Sequence, residues 1–207
     1  MSTTTIVIPS SYASMTNLTA NTSYPITRAY TNTSSTTYTQ LNVSKKNTTG
    51  TVYFTGFDFS AIPSNASIVS VTIKVRCMVS STSYITAASV QAYKGSSAVG
   101  SASNFRTTTA TTYTLTSGTW SRADLDNLRI FFSATRGNTN STCYMRIYGM
   151  EVTVVWDDPP EPTEQMYTKV NGNWVTVSAV YKKVNGAWVE QTDLAGLFNT
   201  SGKYLKK

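Results

Sequence analysis

Hydrophobic and polar residues alternate with a period of two along most of the chain. The longest run sets Val69, Val71, Ile73, Val75, Cys77 and Val79 on one face and Ser70, Thr72, Lys74, Arg76 and Met78 on the other. That alternation predicts an antiparallel strand with one face in a core and one in water. Shorter runs repeat it at Val52 and Phe54, Phe57 and Phe59, Ala88 to Ala92, Tyr113 and Leu115, and Ile130 to Ala134. A late run changes phase: Cys143, Met145 and Ile147 are odd-numbered, whereas Met150, Val152, Val154 and Trp156 are even-numbered. A strand keeps one face buried through such a shift only with an extra residue, and Gly149 stands at the break, so a β-bulge is predicted there. Helix is nearly absent. Ser121 to Leu128 is the best candidate, with Ser121 as cap and Leu125 and Leu128 on one face. Short strands with turn-rich connections predict an all-β fold, a jelly-roll β-sandwich over residues 1–156.

The pattern breaks at Asp157 to Glu164, where three prolines and four acids predict a stiff, extended linker. Beyond it, over 165–207, Tyr167-Thr-Lys-Val-Asn-Gly-Asn-Trp-Val175 recurs as Tyr181-Lys-Lys-Val-Asn-Gly-Ala-Trp-Val189. Asn-Gly between strand-forming residues predicts a type I′ hairpin, because both central positions need positive φ. Trp174 and Trp188 would cover one face of the resulting small meander. Strands this few are marginal alone. The repeat is therefore expected to pack on a partner or an identical subunit, with Tyr167, Asn171, Gly172, Trp174, Tyr181, Asn185, Gly186 and Trp188 as attachment or oligomerisation residues. Leu194 to Lys207 is expected to form a short terminal strand or arm.

Composition narrows the chemistry. The 207 residues suit one domain with a small appendage. Serine and threonine number 26 and 36, which raises disorder as an alternative. Hydrophobic residues at 40% and charged residues at 13% are the reverse of the disordered signature. No histidine is present, which removes His-based acid–base chemistry, Ser-His-Asp and Cys-His sites and most zinc geometries. Cys77 and Cys143 make no disulfide framework, and Cys77 reads as a buried free thiol. Residues 1–9 lack a basic stretch and a long apolar one, so synthesis in a cytoplasm is expected. No apolar run is long enough to suggest a membrane span.

Charge is divided as the structure is predicted to be. Residues 1–150 carry 11 basic and 3 acidic groups, and 151–207 carry 6 and 7. A basic first domain would attract polyanions through its summed field, but no nucleic-acid motif is visible. Charges that keep a β protein soluble and guard its edges are the plainer account. Lys74, Arg76, Tyr93 and Arg146 are the candidate surface ligand contacts. Asp58, Asp124 and Asp126 read as solvated acids rather than a glycosidase pair. The acids of the linker lack calcium-ligand spacing. No catalytic residue, metal or cofactor is predicted. The tyrosines divide between packing and a sugar-stacking role.

Three segments carry a resemblance. They are Phe57-Asp-Phe-Ser-Ala-Ile-Pro-Ser-Asn-Ala-Ser-Ile-Val-Ser-Val-Thr-Ile73, Thr119-Trp-Ser-Arg-Ala-Asp-Leu-Asp-Asn-Leu-Arg-Ile130, and Ile147-Tyr-Gly-Met-Glu-Val-Thr-Val-Val-Trp156. Together they resemble jelly-roll structural proteins of tailed bacteriophages infecting Gram-positive hosts. The hairpin repeats and Gln191-Thr-Asp-Leu-Ala-Gly-Leu-Phe198 resemble the C-terminal ends of the same proteins. The resemblance implies a non-catalytic component of the virion, as capsid decoration or head fibre, that adheres to or stabilises the particle. Its partners would be other virion proteins and copies of itself in a homo-oligomer, with no membrane and no specific nucleic acid. The alternative is a tail or baseplate carbohydrate-binding module that recognises a host cell-wall glycan.

Overall fold

A computed structural model describes residues 2–116, 118–158, 167–170, 173–176 and 181–190. The chain divides into two compact units, Met1–Pro159 and Pro160–Lys207.

The first unit is an all-β sandwich of two antiparallel sheets. Its strands are β1 (Ser2–Val7), β2 (Ser11–Thr16), β3 (Leu18–Ala20), β4 (Thr39–Val43), β5 (Thr48–Thr55), β6 (Ser67–Val79), β7 (Ile85–Lys94), β8 (Ser97–Asn104), β9 (Thr111–Thr116), β10 (Leu128–Arg136) and β11 (Tyr144–Asp157). The first sheet runs β3-β4-β11-β6-β9, with β1 also on β11, and the second runs β2-β5-β10-β7-β8. Within these, β4-β11-β6-β9 faces β5-β10-β7-β8, the eight-strand jelly-roll order. The strands β1, β2 and β3 extend its edges.

Alternation decides what lies inside. Val71, Ile73, Val75, Cys77 and Val79 of β6 are buried, as are Val52 and Phe54 of β5, Ile130 and Phe132 of β10, and Met145 and Ile147 of β11. Phe132 meets Phe54 and Phe105 edge-on at 5.6 and 5.9 Å, the ring geometry that aromatic quadrupoles favour. Cys77 and Cys143 are both buried and free, and burial pushes each thiol up from its ordinary pKa.

The expected bulge is present. Pairing between β11 and β6 slips between Ile147 and Gly149, and Gly149 has φ +153°. A Cβ at this position would overlap the Asn32 carbonyl. The close approach arises because β11 shares one edge between two partners, β4 along Tyr144–Ile147 and β1 along Val152–Asp157. In the gap between them the Met150 N–H donates to the Thr31 carbonyl at 2.9 Å.

Three expectations need correction. Val69 is not in the core: it is 55% exposed. A second slip sets Ile68 opposite Trp156 and Ser70 opposite Val155, so Val69 is the spare residue of a bulge and faces out. Phe57 to Phe59 is not a strand. The ladder ends at Thr55, and the Ser60 N–H donates to Asp58 Oδ1 in a tight turn that leaves Phe57 half-buried and Phe59 buried. Asp157, assigned to the linker, ends β11 and accepts a hydrogen bond from Ser2 Oγ at 2.7 Å.

The short helix α1 (Arg122–Asp126) forms as the sequence predicts, with a reciprocal cap. Ser121 Oγ accepts from the Asp124 N–H, and Asp124 Oδ2 accepts from the Ser121 N–H.

In the second unit, β12 (Tyr167–Val170) pairs with β13 (Asn173–Thr176), and β14 (Tyr181–Val184) with β15 (Ala187–Glu190). Asn185 and Gly186 have φ +49° and +85°, as the I′ turn requires. Among the described residues these are two separate two-stranded sheets rather than one meander. Asn171 and Gly172, most of the linker and the terminal segment lie outside the described residues.

Candidate functional site

Seven arginines lie in the first unit, and their N–H groups have two kinds of destination. Four clip the connecting loops. Arg122 donates to the carbonyls of Ile62 and Phe59, both at 3.0 Å, and pairs with Asp126 at 2.5 Å. Arg136 reaches the carbonyls of Val43 and Thr139 at 3.1 and 2.9 Å. Arg106 donates to the carbonyls of Ile85 and Thr82, and Arg129 to that of Gly95. These charges stitch the ends of the sandwich together by satisfying loop carbonyls.

The other three, Arg28, Arg76 and Arg146, meet a group of tyrosines centred on the outer face of the first sheet. On β11, Tyr144, Arg146 and Tyr148 point outward because Met145 and Ile147 point in. On β6, Lys74, Arg76 and Met78 do the same. Opposite Arg146 across the strand pairs stand Gln40 of β4 and Met78 of β6. Tyr24 and Tyr38 come from the connections before β4, and Arg28 from the 3-10 turn Ile26–Ala29.

The groups form one chain of contacts. The Arg28 guanidinium sits over Tyr24 at 5.3 Å, and Tyr24 stacks on Tyr38 with ring centroids 4.6 Å apart. Arg146 lies over both Tyr38 and Tyr144, at 4.4 and 4.8 Å. Tyr38 also meets Tyr148 at 5.1 Å, and Arg76 lies over Tyr148 at 5.2 Å. Each such cation–ring contact contributes about 0.5–1 kcal/mol at an exposed site. Their larger effect is to hold the guanidinium planes in place. Arg146 Nε donates to Gln40 Oε1 at 3.2 Å, and one Arg76 Nη donates to the Ser35 carbonyl at 3.2 Å. The Tyr38 phenol is held above its ordinary pKa, first by its hydrogen bond with Tyr24 and then by desolvation, against an opposing pull from Arg146. With Arg28, Lys74, Arg76 and Arg146 on it, the face is cationic. Glu151 is the carboxylate beside it; it pairs with Lys74 at 3.8 Å and accepts from the Thr33 N–H.

The outer face of the second sheet differs. Tyr53, Tyr93 and Phe131 form a half-buried aromatic triangle, with centroids 4.7–5.8 Å apart, and the Arg129 guanidinium lies over Tyr53. Beside it an open cleft of about 360 Å³ is lined by Gly56, Phe57, Gly95, Asp126 and Arg129.

Of the predicted surface contacts, Lys74, Arg76 and Arg146 therefore share one face, while Tyr93 lies on the opposite sheet. Arg28, Tyr24, Tyr38 and Gln40 belong with the first group and were not predicted. Tyr144 and Tyr148 were legible from their alternation with buried neighbours. Of the predicted attachment residues, Asn185 and Gly186 make the turn. Trp188 is 68% exposed, with the Lys183 ammonium 5.9 Å from its ring. Tyr167, Trp174 and Tyr181 lie on β12, β13 and β14. Asp124 caps α1 and pairs with Lys94 at 3.0 Å, and Asp126 pairs with Arg122. Asp124 and Asp58 titrate below the ordinary carboxylate range, each chiefly because a backbone N–H donates to it.

No family model and no curated protein matches the chain. Among solved structures it is similar to one described as PfGH50B, with a TM-score of 0.40 and 8% identity over 74% of this chain. The match spans 23% of that protein, and a likeness this slight carries no functional argument.

Proposed function

We propose that the chain is a non-catalytic structural protein of a tailed-phage particle, displayed on the surface as capsid decoration or head fibre, where it adheres or stabilises. The three segments that resemble such proteins all fall on scaffold: the turn into β6, helix α1, and the bulged half of β11. The observation that carries the non-catalytic part is the commitment of the carboxylates. Asp58, Asp124, Asp126, Glu151 and Asp157 each hold a turn, a cap, an ion pair or a strand end.

Attachment is assigned to the hairpin unit, which has an exposed tryptophan and strands too few to stand as a domain. Deleting residues 159–207 should leave a folded sandwich that no longer joins particles, as read by sedimentation with purified virions. Incorporation at the full-length level would reject that assignment. The second reading, a tail or baseplate module that binds a cell-wall glycan, is favoured by the tyrosine–arginine face.

A further inference from the structure

We propose that the outer face of the first sheet binds a hydroxylated polymer with repeated phosphate or carboxylate groups, that is, an anionic polyol or saccharide chain. The inference deepens the adhesive reading above and rests on it.

Unused donors are the first argument. The Arg28 side chain makes no hydrogen bond among the described residues, the Arg146 side chain uses only Nε, and that of Arg76 uses one Nη. The remaining N–H groups form planar forks suited to oxyanions. The four loop-clipping arginines reach carbonyls at the ends of the sandwich, and the Nε atoms that Arg129 and Arg136 leave unpaired are buried, so cationic side chains alone do not define the site.

Charge is the second. Among the described residues, Arg28, Lys74, Arg76 and Arg146 are set against the carboxylate of Glu151, itself engaged by Lys74 and Thr33. Pre-ordering is the third, because guanidinia already held on tyrosine rings lose less freedom on binding.

The surroundings choose the kind of polyanion. Thr112 and Thr114 of β9 stand directly opposite Arg76 and Lys74, and Thr72 lies beyond them on β6, giving hydroxyls between the charges. Ring faces are already occupied: Tyr38 is met by Tyr24, Tyr148 and Arg146, and Tyr24 by Arg28 and Tyr38. Stacked bases would need those faces free. A hydroxylated anionic chain needs only the N–H and O–H groups at their margins.

The test is affinity electrophoresis of the full chain in poly(glycerol phosphate), polygalacturonate, neutral dextran and DNA of matched charge. We expect retardation by the phosphate polymer, the carboxylate polymer or both, with the two arms separating the anion types, and none by dextran. Binding should weaken steeply with salt, as oxyanion contacts do. The variant Arg28→Ala/Arg76→Ala/Arg146→Ala should lose about tenfold or more in affinity, each lost contact to a charged group being of that order. The control Lys45→Ala/Lys46→Ala removes two exposed charges from the turn before β5 and should change affinity by less than about twofold. Because Arg76 also anchors Ser35, Arg146→Ala alone should show a smaller loss, with the melting point lowered by no more than about 4 °C. Equal losses in the triple variant and the lysine control would overturn the proposal in favour of a bulk field. Tighter binding to DNA, equal retention by dextran, or no retention by either anionic polymer would overturn it as well. Particle incorporation of the triple variant separates the two readings: wild-type incorporation beside an absence of polymer binding sinks this inference and leaves the display role standing.

Discussion

The two sheets of this sandwich turn different surfaces outward. On the second, Tyr53, Tyr93 and Phe131 pack on one another, Ser89 and Ser133 share a hydrogen bond of 2.8 Å, and Arg129 is drawn to the Gly95 carbonyl. Those serines pair with each other, while Arg129 keeps a buried Nε without a partner. On the first, Arg28, Arg76 and Arg146 rest on tyrosines with most of their donors unspent. Residue type is the same on both, arginine beside tyrosine. What separates them is the neighbourhood: Arg129 reaches the Gly95 turn at the end of the sheet, whereas Arg28, Arg76 and Arg146 converge on one group of linked tyrosines. Counting basic residues therefore misjudges this protein, because four of its seven sandwich arginines serve the loops.

The strongest way to break that contrast is Gly149→Ala. Its Cβ must displace Asn32 and the segment that carries Ser35, so we expect about 3 kcal/mol of destabilisation by urea unfolding, from overlap and positive φ together. Arg122→Ala comes next. It strips the donor from the carbonyls of Phe59 and Ile62 and should cost about 2 kcal/mol in the same measurement. Arg146→Ala, also an arginine removal, should cost about 1 kcal/mol, since two ring contacts and one hydrogen bond to the Gln40 side chain are lost at a half-wet surface and no carbonyl is left without its donor. A cost equal to that of Arg122→Ala would erase the distinction between clips and face. The same variant removes the charge that favours the Tyr38 phenolate, so the Tyr38 titration should move further upward by ultraviolet absorbance.

The smallest effect concerns acid. Asp124 has a depressed pKa in the folded state, so its contribution is present above the unfolded carboxylate value of about 3.9 and fades as the pH falls through the folded value. Asp124→Asn should flatten that acid limb of the stability curve without changing polymer binding. An unchanged limb would remove Asp124 from the acid response.

Strands β6, β10 and β11 were legible because each alternates cleanly, and the bulge was legible because Gly149 stands where the phase slips. Strand β8 gave no such signal: Ser97–Asn104 is mostly exposed, with Val99 and Ser103 as its half-buried positions. The first three strands were obscured likewise, since Ser and Thr suit either face of a half-wet sheet. Val69 misled because a bulge in β6 leaves no trace in an unbroken odd-numbered run. The site was half readable. Alternation placed Lys74, Arg76 and Arg146 outward, but Tyr24 and Tyr38 join Arg146 from more than a hundred residues away, a closure that only the jelly-roll order brings about.

The shared edge of β11 has a mechanical meaning. This last strand of the sandwich precedes the hairpin unit in the sequence, and it is zipped to β6 on one side and to β4 and then β1 on the other. Tension entering at Asp157 runs along the strand, across rungs that lie perpendicular to it, so many amide bonds must shear together rather than peel one by one. If the hairpin unit is the anchor proposed above, a sandwich tethered through such a strand can be tugged without unravelling first.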